Sequence, residues 1–72
     1  MEVKSSGYES FQLVYKEIFP VLMRVAYHVT YSMDASEDIC QEAFIRFYNR
    51  SISFPSLDEA KYWLIRVSKN LA

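Results

Sequence analysis

Apolar residues recur through the first half of the chain at Phe11, Val14, Tyr15, Ile18, Leu22, Val25, Ala26 and Val29. That spacing is a helical stripe of five to six turns and predicts a first helix near residues 9–31. Pro20 lies inside it and removes the amide that would bond the Lys16 carbonyl, so a bend is expected there. Tyr31-Ser32-Met33 breaks the period, and Asp34 with Glu37 three residues on resembles a capping box. A second helix is expected over residues 35–49. From Arg50 to Leu57 the period stops and Ser/Pro punctuation takes over. Ser56-Leu57-Asp58-Glu59 is a clear capping box, so a third helix is expected over residues 58–72. Its apolar arc holds Ala60, Trp63, Leu64, Val67 and Leu71, and its other arc Tyr62, Arg66, Lys69 and Asn70. Met1 to Gly7 is polar and expected to fray. The fold class is all-α: a three-helix bundle with a long loop between helices two and three. The expected core is Phe11, Tyr15, Ile18, Leu22, Ile39, Ala43, Phe47, Trp63, Val67 and Leu71.

The second helix carries the most information. At about 100° per residue, Ile39, Cys40, Ala43, Phe44, Phe47 and Tyr48 share one broad arc. Asp38, Gln41, Glu42 and Ile45 fall together on the other side. A face made only for solubility would be rich in Lys and Glu and would not set an Ile among its acids. Two carboxylates, an amide and one Ile in a single stripe therefore suggest a docking surface. A solvated face with one stray apolar residue is the plainer alternative.

Composition supports a helical domain. Five Phe, six Tyr and one Trp make the chain 17% aromatic and 51% hydrophobic, enough for a dense core in a domain of 72 residues. One Gly and two Pro leave too few turn residues for an all-β fold. Net charge is −1, so any contact with DNA must use a local patch. Cys40 stands alone, which excludes an internal disulfide and a Cys-based metal site, and its place on the apolar arc suggests a buried inert thiol. No signal peptide or membrane span is visible, and the cytoplasm is the expected location. No Ser/His/Asp set or Gly-rich phosphate loop is present. Glu37 and Asp38 point about 100° apart and cannot converge on a substrate. A lone His28 without a supporting Lys and Gly does not make a phosphotransfer site. The chain reads as a non-enzyme that needs no cofactor.

Asp38-x-x-Gln41-Glu42-x-Phe44, followed by Tyr62-Trp63-Leu64-Ile65-Arg66 and Lys69-Asn70-Leu71-Ala72, resembles region 2 of bacterial RNA polymerase sigma factors. The likeness is greatest to the extracytoplasmic-function (ECF) group of the sigma-70 family and covers residues 8–72. In that family the acidic and amide face of the second helix docks on the Arg-rich clamp helices of the polymerase's largest subunit. The resemblance assigns that docking to Asp38, Gln41 and Glu42, and Ile45 adds apolar area beside them. It also implies that the loop and third helix open promoter DNA, holding a flipped base of the non-template strand of the minus-ten element. Ile52 or Phe54 would then wall the base pocket, with Ser53 and Asn70 making polar contacts. Lys61, Arg66 and Lys69 would hold phosphates beside Tyr62. Trp63 belongs to the core arc, not to a DNA wedge. Pro55-Ser56 replaces the family's commoner Arg-Gly, so base preference does not transfer.

Further partners implied by the resemblance are core polymerase, promoter DNA and an anti-sigma factor, with no membrane. The chain stops at Ala72 in helical phase without Gly, Asn or Pro, and is expected to be one domain of a longer two-domain protein. A small helical interaction module that uses the Gln41 stripe and never touches DNA is the main alternative. A helix-turn-helix reader of duplex DNA is disfavoured, because its turn is three or four residues.

Overall fold

The first apolar stripe folds as helix α1, Tyr8–Thr30, in a computed structural model that describes residues 2–72. Its buried residues are Val14, Ile18, Leu22 and Ala26, a row at i, i+4 spacing that faces both other helices. The helix runs uninterrupted through Pro20, which is exposed together with Lys16. Water can therefore take the place of the missing donor. Phe11 is half-buried against the core. Tyr15, expected inside, is instead 42% exposed. Its ring stacks on Phe19 at 4.9 Å and leans on Phe44 at 5.0 Å, so it packs on neighbouring rings at the surface.

The chain reverses in two residues. Tyr31 takes the left-handed conformation (φ 54°) and its amide bonds the Tyr27 carbonyl. Helix α2, Met33–Arg50, then starts at once, capped by Ser32 and not by Asp34. The Ser32 hydroxyl accepts from the Ala35 amide at 3.2 Å. Buried Ser36 bonds the Ser32 carbonyl at 2.6 Å and the Thr30 hydroxyl at 2.9 Å, so side-chain oxygens from both helix ends lock the corner. Asp34 is left in the first turn, where a negative charge suits the helix dipole. The Ser32→Ala variant is expected to lose about 1 kcal/mol of stability. Urea denaturation would read it, and an unchanged midpoint would show that the corner holds without its cap.

α2 buries Ser36, Cys40, Ala43, Phe44 and Phe47, with Ile39 half-buried. Burial pushes the Cys40 thiol up to about 11, so it is protonated and unreactive at neutral pH. Phe47 is the centre of an aromatic cluster. Its ring lies 6.3 Å from Phe11, 6.3 Å from Phe44, 5.5 Å from Phe54 and 5.8 Å from Trp63.

The two ends of the polar pattern differ from expectation together. Residues 51–56 join α2 to the third helix, and Ser53–Phe54 within them form a short strand, β2. β2 pairs antiparallel with Val3–Lys4, strand β1, in the register Val3 to Phe54 and Lys4 to Ser53. The segment expected to fray therefore has Val3 and Ser5 fully buried, while Met1 lies outside the described residues. Two-residue strands show no period in a sequence, and this pair joins positions fifty residues apart.

The third helix, α3, covers Leu57–Leu71 with Ser56 as its cap, accepting from the Glu59 amide at 3.3 Å, as the capping box predicts. Ala60, Leu64 and Ser68 form its buried row. Trp63, Val67 and Leu71, expected in the core, flank that row, half-buried and packed against it.

Candidate binding surfaces

The α2 stripe is real as a surface. Asp38, Gln41, Glu42 and Ile45 are all exposed, and Ile45 is 54% exposed. Glu42 pairs with Arg46 at 3.2 Å across one turn. Both side chains are half in water, so the pair is weak and a partner can exchange it.

Beside this stripe lies a groove that periodicity does not reveal. Phe11, Tyr15, Gln41, Phe44, Ile45, Tyr48 and Asn49 line an open apolar groove of about 480 Å³ between α1 and α2. Tyr48, placed by periodicity on the apolar arc, is 49% exposed, and its edge meets Phe11 at 5.5 Å. The signal was present: Phe11 and Tyr15 form an i, i+4 aromatic pair, and Tyr48 stands three residues after Ile45. Periodicity puts Phe11 and Tyr15 in the core and Tyr48 on the apolar arc, because it does not distinguish a buried arc from its rim.

The second surface is on α3. Tyr62, Arg66, Lys69 and Asn70 are exposed on one face, spanning about 100° of the helix. Lys61 lies outside this face, half-buried, with its ammonium 4.0 Å from Asp58 and 5.5 Å from the Tyr62 ring. Its charge is therefore shared within the helix, and Arg66 and Lys69 are the freer cations. Among the described residues the Asn70 amide has no hydrogen-bond partner on another side chain.

The loop's residues separate. Ser53 is exposed, Ile52 is half-buried, and Phe54 is only 8% exposed. The Phe54 ring stacks on Phe47 at 5.5 Å with 15° between the planes, and its edge meets Trp63 at 6.2 Å. As the wall of an open base pocket Phe54 must be corrected: it is a core ring that anchors the loop from beneath. Alternation along β2 turns Phe54 inward and Ser53 outward.

The bundle thus presents two chemically different faces. One is acidic and amide-bearing beside an apolar groove on α2, the other basic and aromatic on α3. Charged partners of opposite sign suit them. Among the described residues no group of three or more His, Cys, Asp or Glu is placed to hold a metal. No helix among the described residues is long and apolar enough to cross a membrane.

The family model described as Sigma-70 region 2 matches residues 14–72. The ECF RNA polymerase sigma factor SigX of Bacillus subtilis (strain 168) is 28% identical over 64 residues, which cover 89% of this chain. The matched segment is 33% of that relative, so the chain spans about a third of its length. No solved structure matches the chain.

Proposed function

Because the chain belongs to the sigma-70 region 2 family, we propose that it binds core RNA polymerase through α2 and recognises and melts the minus-ten promoter element through the loop and α3. That it is a sigma factor domain of transcription initiation and not an enzyme follows from the family itself. The pair of exposed faces supports the proposal. The residues that the family resemblance assigns to polymerase, and most of those it assigns to DNA, are solvent-accessible on two different helices.

In this reading Asp38, Gln41 and Glu42 accept hydrogen bonds from the Arg-rich clamp helices of the largest subunit, and the two carboxylates pair with the guanidinium charges. Ile45 and the adjoining groove bury apolar area at the centre of the contact. Arg66 and Lys69 hold phosphates of the non-template strand, with Lys61 a weaker third. Tyr62 offers a ring on which a base can stack. Asn70 reads a base edge, because its amide carries both a donor and an acceptor. Ser53 meets the strand from the loop, and Ile52 supplies the apolar wall that buried Phe54 does not. An anti-sigma factor would compete for the α2 face. The cytoplasm is where polymerase and promoter are met, and the domain serves as one part of a longer two-domain factor.

Binding of single-stranded oligonucleotides varied at each minus-ten position, with core polymerase present, tests the DNA half. Asn70→Ala is expected to lose about 1–3 kcal/mol, and for one base at one position. Arg66→Ala and Lys69→Ala are expected to weaken all sequences alike and to flatten the salt dependence. A uniform loss for Asn70→Ala, with base preference intact, would reduce Asn70 to a structural residue. Polymerase binding without any DNA preference would leave the domain an interaction module.

A further inference from the structure

Strand β1 lies outside the segment that the family match covers, which begins at Val14. It nonetheless lies against the loop proposed to meet DNA. The register sets Lys4 directly across from Ser53, and direct cross-strand partners point to the same side of a ladder. Both are exposed, whereas their neighbours Val3 and Phe54 are both buried. Lys4 therefore shares the outward face of the loop with Ser53, and its flexible stem carries an ammonium to whatever Ser53 touches.

The next position of the same register is Ser5 with Ile52. The Ser5 amide donates to the Ile52 carbonyl at 2.8 Å, as a regular ladder requires. The return bond is different: the Ile52 amide donates to the Ser5 hydroxyl at 2.8 Å. The chain is already turning toward α1 here, with the Gly7 amide bonded to the Lys4 carbonyl at 3.1 Å. A side-chain oxygen thus takes the place that a backbone carbonyl fills in a continuing strand. Ser5 is fully buried, so water has no access to do the same. Alanine at this position would leave the Ile52 amide without its partner.

We propose that strand β1 is part of the single-stranded DNA surface, with Lys4 contacting a phosphate beside Ser53 and Ser5 fixing the register of Ile52 and Ser53. The inference rests on the promoter reading above and adds a contact and a positioning residue to it. Lys4 acts directly on the strand. Ser5 acts through the loop and touches no nucleotide.

The test uses the full-length protein with core polymerase and the same oligonucleotide series. Lys4→Gln changes an exposed side chain and is expected to weaken every oligonucleotide severalfold alike. It should also reduce the slope of log K against log salt by about 0.7, the value for one phosphate contact on a single strand. Ser5→Ala is expected to speed exchange of the Ile52 amide by tenfold or more. It should also narrow the preference among bases at one minus-ten position while leaving the salt slope unchanged. An unchanged affinity and slope for Lys4→Gln would overturn the phosphate contact. Faster exchange in Ser5→Ala with base preference intact would overturn the positioning role and leave Ser5 a structural clip. Wild-type protein that shows no base preference at all would overturn the promoter reading itself, a result distinct from either.

Discussion

Phe47→Ala is expected to unfold the domain or bring it close to unfolding. The side chain is fully buried, and four other aromatic rings have centroids within 5.5–6.3 Å of its own. Removing it deletes apolar contact with all three regions that close the core: α1 through Phe11, the loop through Phe54, and α3 through Trp63. Deletion of a buried Phe costs about 3–5 kcal/mol. Whole domains hold roughly 5–15 kcal/mol, and one this small buries a lower share of its surface than most. A fall in Tm on the order of 20 °C is the expected reading. Trp63→Ala makes the comparison, because Trp63 is larger but half-buried at the margin of the same cluster. It should cost less. If Phe47→Ala melts within a few degrees of wild type, the cluster is not the core that holds the helices together. Thermal and urea unfolding followed by circular dichroism would give both numbers on one footing.

Phe47 also shows how the sequence carries the fold. Its arc, with Ala43 and Phe44, is legible because a helix longer than ten residues repeats its period several times over. The Ser56 cap was legible because its partner Glu59 is three residues away. What stayed hidden was short or distant. Strand β1 has two residues, and its partner strand is separated from it by the whole α1–α2 hairpin. Ser32 and Asp34 are both good cap residues, and only the tight left-handed turn at Tyr31 decides for the earlier one. Tyr15 is misplaced for another reason, and Trp63 lies at the margin of the core and not at its middle. A helical wheel gives the apolar side of a helix but not which residues of that side end fully buried. The same limit hid the groove. Gln41 and Ile45 were read as a stripe on α2 alone, and the aromatic half of the surface comes from α1. Phe54 was ambiguous between pocket wall and core, and its stacking on Phe47 places it in the core.

Gln41→Ala and Glu42→Arg are expected to leave the bundle folded and to weaken its binding to core polymerase. Gln41 is exposed and lines the groove, so truncating it removes an amide from the centre of the proposed contact without opening the core. Central contacts of an interface cost about 2 kcal/mol or more when removed, roughly thirtyfold in affinity. Glu42→Arg should do more, because in the proposed contact it reverses a charge against Arg-rich helices and would repel where the native residue would attract. Within the domain it exchanges the Glu42–Arg46 pair for two arginines one turn apart, a penalty of only about 0.2–0.5 kcal/mol. The loss in binding should therefore far exceed the loss in stability. Ile45→Ala separates the apolar part of the contact from the polar part, since a side chain 54% exposed in the free domain contributes little to folding. Melting curves and polymerase binding on the same preparations decide the matter. Wild-type affinity in both Gln41→Ala and Glu42→Arg would remove the α2 stripe from the polymerase interface and leave the groove without its proposed partner.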